Sequence, residues 1–218
     1  VSDRVQTTRN LVRAILTEDN GQLVFVDTPG IHKAESPLGR NMNKLSRSSI
    51  NGSDLILLIL DSSSIPGEID MGWFRRLSKT HQPCIFALNK SDLNINYTEK
   101  YKKLWNDIKI EKKSPVLPFW TNISALRGHG IEPLIKKMLN FMPISQKLFP
   151  DDVLTDYPRR LNIADVIREK FFNKLYQELP HSLAVWVDLI EESDDKCNVQ
   201  ASIYIERHSQ KGIVIGNN

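Results

Sequence analysis

Two short polar stretches, each emerging from an apolar run, carry residue types whose order could do chemistry. The first is Asp27-Thr28-Pro29-Gly30, after Leu23-Val24-Phe25-Val26; the second is Asn89-Lys90-Ser91-Asp92, after Cys84-Ile85-Phe86-Ala87-Leu88. An apolar run bounded by Pro83, as in the second case, reads as a buried parallel strand, and open α/β sheets bind ligands beyond the carboxyl ends of such strands. A carboxylate at a strand tip can hold a magnesium ion through water. A glycine just beyond lets a backbone N–H approach a terminal phosphate closely. Those are the roles expected of Asp27 and Gly30. Asp92 suits a guanine, whose N1–H and exocyclic amine can both donate to one carboxylate, whereas adenine has an acceptor at N1 and no amine at C2. Leaving such a buried group unpaired costs on the order of 1–3 kcal/mol, enough to choose between purines. In this geometry Lys90 lays its methylene stem along the purine face, and the Asn89 amide ties its loop to the phosphate-binding segment. Backbone N–H groups at Ser124 and Ala125, within Ile123-Ser124-Ala125-Leu126, meet the guanine O6. Each stretch alone is equally a solvated turn after a strand, but three in this order imply a guanine-nucleotide site.

Gln6-Thr7-Thr8-Arg9 stands ahead of the first apolar run. A threonine there lets a mobile loop set a hydroxyl on the magnesium once a terminal phosphate is present. Thr8 is taken for that role over Thr7, with two threonines in a flexible leader as the plain alternative. The chemistry implied is in-line attack of water on the γ-phosphorus, with charge stabilised by magnesium and backbone donors. Ile31 follows Gly30, and its side chain cannot hold a water by hydrogen bonding. Another group must therefore orient that water, and slow intrinsic turnover is expected. Gly-x-x-x-x-Gly-Lys-Ser/Thr, the loop that cradles the α- and β-phosphates, does not occur in these residues, so a strand, that loop and a helix are expected ahead of Val1.

The elements that must position these residues follow from periodicity. Residues 11–16 and 23–27 are predicted strands joined at Asp19-Asn20-Gly21, where Asn-Gly suits the positive φ angles of a type I′ hairpin turn. Residues 36–50 should form a basic surface helix, and 55–61 a buried strand ending at Asp61. Residues 68–79 read as a helix with Ile69, Met71, Trp73, Phe74 and Leu77 on its apolar side. Residues 98–113 form another, with Tyr101, Leu104, Trp105 and Ile108 inward and a lysine-rich outer face that is most simply solvated. A strand over 116–120 and a helix over 131–142 complete an alternation that implies a mostly parallel sheet with helices on both faces. After Pro150 the period changes. Ile163, Ile167, Phe171 and Leu175 mark a helix ending near Leu179-Pro180, and strands over 183–189 and 199–206 flank a polar turn. That α+β beginning defines a second domain, joined by a linker over 144–152.

Composition agrees without selecting a function. A chain of 218 residues is long enough for one or two domains and a substantial core. No apolar run approaches the roughly 18 residues of a membrane-spanning helix, and no signal-peptide pattern is present. Cys84 in a strand and Cys197 in a polar turn form no disulfide framework and read as free thiols of a reducing compartment. The five histidines show no metal-ligand spacing.

The succession Gln6-Thr7-Thr8-Arg9, Asp27-Thr28-Pro29-Gly30-Ile31, Asn89-Lys90-Ser91-Asp92, Ser124-Ala125-Leu126, Phe149-Pro150-Asp151-Asp152, Ile167-Arg168-Glu169-Lys170, Glu178-Leu179-Pro180 and Val214-Ile215-Gly216-Asn217 closely resembles the Era family of bacterial GTPases, over essentially the whole chain. The resemblance implies an α/β fold class: a Ras-like P-loop GTPase domain over 1–143, then a linker over 144–152. An α+β type II KH domain over 153–218 follows, with the P-loop and the end of the KH domain expected outside these residues. It implies GTP/GDP and Mg2+ as cofactors, hydrolysis of GTP to GDP and phosphate, and Thr28, Pro29 and Ile31 beside Asp27 and Gly30 at the nucleotide. It also implies binding of the 3′ end of 16S ribosomal RNA in 30S subunit biogenesis by a cytoplasmic monomer associated peripherally with the inner membrane. Gly216 and Asn217 would open the Gly-x-x-Gly loop that approaches the RNA backbone. Arg207, Lys211 and the pair Arg159-Arg160 are candidate phosphate contacts, although a solvated face explains them equally. Residues 153–218 hold 8 Lys+Arg against 10 Asp+Glu, net −2, and residues 1–152 hold 21 against 16, net +5. RNA-binding domains are usually basic, so the positive surface is expected from the part of that domain beyond Asn218, or RNA binding fails. A double-domain GTPase of the Der family would repeat the motifs, which this chain does not. The competing reading is a nucleotide-independent RNA-binding or assembly module, against which Asp27, Gly30, Asn89 and Asp92 stand intact.

Overall fold

The structure, a computed structural model, describes residues 12–28, 52–174, 183–194 and 196–216. The predicted helix over 36–50 and the end of the helix near Leu179-Pro180 lie outside the described residues. The chain opens with an antiparallel hairpin, β1 (Val12–Glu18) and β2 (Gly21–Asp27), in which Val12 pairs with Asp27 and Glu18 with Gly21. The predicted type I′ turn is not formed. Its two loop residues are Asp19 and Asn20, and neither they nor Gly21 adopts positive φ. Gly21 instead lies in β2, where a Cβ would come 3.1 Å from Leu139 Cδ2. The glycine serves close packing there.

The next unit alternates strand and helix: β3 (Ile56–Asp61), α1 (Glu68–Leu77), β4 (Cys84–Asn89), α2 (Thr98–Lys112), β5 (Phe119–Asn122) and α3 (Ile131–Leu139). β3, β4 and β5 form a parallel sheet in that order. β4 has both faces buried, and its side chains divide by period two. Cys84, Phe86 and Leu88 join Phe74 and Leu77 of α1 and Tyr101, Trp105 and Ile108 of α2 in one core; Ile85 and Ala87 join Leu134 and Met138 of α3 and Leu23 of β2 in the other. Helices therefore cover both faces, as predicted. Phe86 stacks on Phe74 with centroids 5.2 Å apart and meets Trp105 and Trp120 edge-on at 5.0 Å. Two expectations shift. Ile69, expected on the apolar side of α1, is 52% exposed in the first turn. The fifth strand begins at Phe119 rather than Val116, because Pro115 and Pro118 have no N–H to give a ladder.

Residues 148–156 lie along the first hairpin. Gln22 donates from Nε2 to Phe149 O at 3.0 Å, and its Oε1 accepts from Leu148 N and Phe149 N, each at 3.0 Å. Ile15 N donates to Leu154 O at 2.8 Å, Thr155 Oγ1 donates to Arg13 O at 2.6 Å, and Arg13 pairs with Asp156 at 2.5 Å. Beyond them come α4 (Arg159–Lys174) and a second antiparallel hairpin, β6 (Leu183–Ser193) and β7 (Lys196–Ile205). Both strands run further than predicted, because Ser193 pairs with Lys196 and the polar residues before and after the turn continue the ladder. A bulge lies between Val187 and Leu189, and a short helix, α5 (Lys211–Ile215), closes the described chain.

Phe86→Ala should cost about 3–5 kcal/mol, as truncations of fully enclosed aromatic residues do. Ile59→Ala, at a side chain 58% exposed, should cost under about 1 kcal/mol. Urea unfolding of the two variants checks the assignment of the core.

Candidate guanine-nucleotide site

Parallel pairing sets the tips of β3 and β4 side by side, with Asp61 opposite Asn89, and Leu88 opposite Asn122 of β5. Three polar loops therefore leave one edge of the sheet together. Ile123 N donates to Leu88 O at 2.9 Å and Ser91 N donates to Ile123 O at 3.1 Å, so the loops after β4 and β5 continue as a pair. The Asn89 side chain locks them: its Oδ1 accepts from Ala125 N at 2.9 Å. Asn89 thus holds the Ser124-Ala125 loop, where the sequence pointed it toward the phosphate-binding segment. Its carbonyl accepts from Ser62 N at 3.0 Å and Ser62 Oγ at 2.6 Å, which fixes the third loop.

Lys90 has φ 66°, in the left-handed region, at a cost of about 1 kcal/mol for a residue with a Cβ. The Leu93 N–H donates to its carbonyl at 3.1 Å, and its ammonium meets Asp61 Oδ2 at 2.7 Å. Its stem consequently crosses from one strand tip to the next, anchored at both ends. Asp61 also accepts from Ser63 N and Ser63 Oγ, at 3.0 and 2.6 Å. Burial works against its charge, but Lys90 and Ser63 outweigh it and bring the carboxyl down to about 2. Pattern reading assigned Asp61 no partner; its position opposite Asn89 was the available signal.

Asp92 is exposed at the end of the loop. The Ser124 side chain, outweighing desolvation, holds the Asp92 carboxyl below the usual range, with the aspartate's own N–H, Arg127 and His129 adding to the effect. Ser124 is fully buried, donates its N–H to His129 O at 2.9 Å and accepts from Arg127 N at 3.1 Å. The predicted base-reading residues Asn89, Lys90, Ser91, Asp92, Ser124 and Ala125 are therefore brought together. Gly130 braces them: at φ 74°, a Cβ would sit 2.5 Å from Asn122 O.

Asp27 ends β2 with an exposed carboxylate, followed by Thr28. Its hard oxygen suits magnesium, which takes one or two carboxylates and completes its octahedron with water and phosphate. Among the described residues no three His, Cys, Asp or Glu gather as a metal cage. A magnesium ion here would rest on Asp27 together with phosphate and water. Thr8, Pro29, Gly30 and Ile31 lie outside the described residues, as does Asn217. At the far end of the chain, Arg207 and Lys211 are exposed around the turn His208–Gln210, and Arg159 pairs with Glu192. Gly216 has φ 83° and ψ 161°, a region open essentially to glycine alone.

The family described as 50S ribosome-binding GTPase matches residues 1–90, and the KH domain family matches residues 178–218. Together with the paired base-side loops, these define the class: a Ras-like GTPase domain followed by a KH domain. GTPase Era of Crocosphaera subtropica is 40% identical over 214 residues, 97% of this chain and 66% of that protein. GTPase Era of Clostridioides difficile is 38% identical over 220 residues, all of this chain and 73% of that protein. This chain belongs to the Era family of GTPases. It spans about two-thirds to three-quarters of the length of these relatives. Two solved structures are similar over its whole length and cover 73% of theirs. Era in complex with MgGDPNP and nucleotides 1506–1542 of 16S ribosomal RNA has a TM-score of 0.84 at 29% identity. A point variant of Aquifex aeolicus Era bound to GDP·AlF4− has 0.83 at 28%.

Carboxyl NMR titration should place the Asp61 midpoint at about 2. Because this folded value is depressed, the pair's contribution is present above the ordinary value of 3.8 and is lost as pH falls through about 2. Both partners are more than a third exposed, so that contribution is about 1 kcal/mol or less. A midpoint at the ordinary value would mean that Lys90 is not held by Asp61.

Proposed function

We propose that this chain is the GTP-binding and GTP-hydrolysing, RNA-binding part of an Era-type protein, acting on the 3′ end of 16S ribosomal RNA in small-subunit biogenesis. The observation that carries it is the lock between two loops, Ala125 N–H on Asn89 Oδ1 and Ser91 N–H on Ile123 O. That lock presents a charged carboxylate, backbone donors and the Lys90 stem toward one planar base. Asp92 accepts from the guanine N1–H and amine, and the depressed titration of its carboxyl keeps it an acceptor throughout the neutral range. GTP/GDP and Mg2+ are the cofactors. Thr8 and Asp27 hold the magnesium, and Gly30, with Thr28, Pro29 and Ile31 beside it, meets the terminal phosphate. Hydrolysis follows as in-line attack of water, with the charge that develops on the phosphoryl oxygens neutralised by metal and backbone donors.

The domain division is 1–143 for the GTPase domain, 144–152 for the linker and 153 onward for the KH domain. Gly216 and Asn217 open the loop that meets the RNA backbone, with Arg207 and Lys211 as phosphate contacts. The neighbouring Era solved with 16S nucleotides 1506–1542 supports that partner. A cytoplasmic monomer that reaches the inner membrane from one side completes the proposal. No helix among the described residues is long and apolar enough to cross a membrane.

Titration of fluorescent GDP into the protein, with GTP and ATP as competitors, tests the nucleotide reading. Displacement by GTP and not by ATP is expected, with affinity flat between pH 7 and pH 5 because Asp92 stays ionised. Asp92→Asn should cost guanine affinity by on the order of 2–3 kcal/mol, roughly 30- to 150-fold. It should also gain affinity for xanthine nucleotides, whose C2 carbonyl can accept from the new amide. An Asp92→Asn protein that still prefers GTP would remove Asp92 from base recognition. Failure of the native protein to bind GDP would leave the nucleotide-independent RNA reading.

A further inference from the structure

Six cations of the first domain gather away from the nucleotide loops. α1 and α2 cover one side of the parallel sheet and each runs back between neighbouring strands, so their carboxyl ends meet at the edge opposite the Asn89 loop. Arg75, Arg76 and Lys79 stand at the end of α1, and Lys109, Lys112 and Lys113 at the end of α2. All are exposed except Lys109, which is half-buried. Glu111 is an acid within the group; it is paired with Lys112 at 2.7 Å, and Lys112 and Arg75 both draw its carboxyl below the usual range.

Helix dipoles explain part of this. A cation in a last turn gains about 0.3–1 kcal/mol. The dipole does not explain Lys79 and Lys113, which extend the charge beyond each helix end, nor the side-by-side placement of two basic ends that repel one another. The distribution of charge along the chain gives a reason. Residues 68–113 hold 10 Lys+Arg against 6 Asp+Glu, net +4, and six of those ten cations, with Glu111 the acid among them, stand at the two carboxyl ends. Residues 153–218 are net −2. If the chain holds a polyanion, most of the excess positive charge in these residues lies on the first domain.

We infer that the joined carboxyl ends of α1 and α2 form a second RNA-phosphate surface, on the GTPase domain, for the RNA whose end the KH domain holds. The inference rests on the RNA-binding reading and extends it to a face that reading does not use. Counterion release from RNA phosphates offsets the self-repulsion of the cluster. An anionic bilayer is the other polyanion of this sign. Ile110 is 77% exposed beside Lys109 and Leu117 is 78% exposed beyond α2, two single side chains where stable attachment needs an apolar face or a lipid chain besides charge.

The test uses the full chain and two RNA probes, nucleotides 1506–1542 of 16S ribosomal RNA and a short single strand cut from its 3′ end. The variant Arg76→Gln/Lys112→Gln/Lys113→Gln should bind the long RNA at least about tenfold more weakly near ~150 mM salt, with the slope of log K against log salt lowered by about 2. Binding of the short strand and the thermal midpoint should stay as in the native protein. Arg207→Gln/Lys211→Gln, in the second domain, should weaken both RNAs. Unchanged binding of the long RNA overturns the inference, whether or not the melting point falls; a fall would assign the cations to the helix ends alone. Loss of binding to phosphatidylglycerol vesicles with RNA affinity intact overturns it in favour of a lipid surface. A native protein that binds neither RNA removes the RNA reading and this inference together, whereas an effect of the second-domain variant alone removes only this inference.

Discussion

β4 is paired on both edges and enclosed on both faces, so none of its backbone or side-chain groups can shift without opening a core. Cys84, Phe86 and Leu88 enter the aromatic cluster under α1 and α2, while Ile85 and Ala87 enter the aliphatic cluster under α3. Protein interiors pack as densely as organic crystals, and a strand between two such layers is held to within a fraction of a side chain. The Asn89 loop inherits that rigidity. Burial also sets the state of Cys84, whose thiol is pushed up to about 11 by desolvation and remains a small apolar side chain.

Rigidity at the strand tip makes a weak local sequence into a site. Lys90 in a left-handed conformation would relax if its loop were free. The Ser91–Ile123 and Leu93–Lys90 backbone bonds and the Asp61 ion pair keep it there. The strain is stored where the base-side face must be presented before ligand arrives, which lowers the ordering cost of binding. Gly130 serves the same end from the other loop, since only a residue without a Cβ lets its backbone pass Asn122 O. The side chain that fixes the geometry, Asn89, turns inward to the protein, while Asp92, the carboxylate proposed to read the base, stays in water.

Elements with a strong period were legible in the sequence. β4, α2 and α3 follow directly from apolar runs and i, i+3, i+4 spacing, because burial on a defined face is what those patterns encode. Features set by one close approach were not. Gly21 looks like a turn glycine in sequence and is a packing glycine in the fold, because Leu139 lies more than a hundred residues away along the chain and no local pattern reports it. The start of β5 depends on two missing proline N–H groups, and the length of the second hairpin on ladder bonds that polar side chains do not interrupt. In the site, residue types and their order along the chain announced Asp92, Asn89 and Ser124, but not which groups pair. The Asn89–Ala125 and Lys90–Asp61 bonds join positions 36 and 29 residues apart. Sequence order alone does not carry such pairings.

The segment after α3 shows the same limit and its consequence. Its composition marks a linker, yet from Leu148 to Asp156 it is bound along the first hairpin. Gln22 satisfies three backbone groups of the linker, and Ile15, Arg13 and Thr155 continue the contact along the open edge of β1. An unpaired strand edge invites association with other chains, and covering it removes that hazard. It also fixes the path of the chain up to Asp156, past the linker bound expected at 152. The chain leaves the first domain beside Arg13, one residue from the Val12–Asp27 pair. The path toward the KH domain thus starts at the strand end that carries the proposed magnesium carboxylate, while the loops proposed to read the base lie at the tips of β4 and β5 and the basic helix ends at the opposite edge of that sheet.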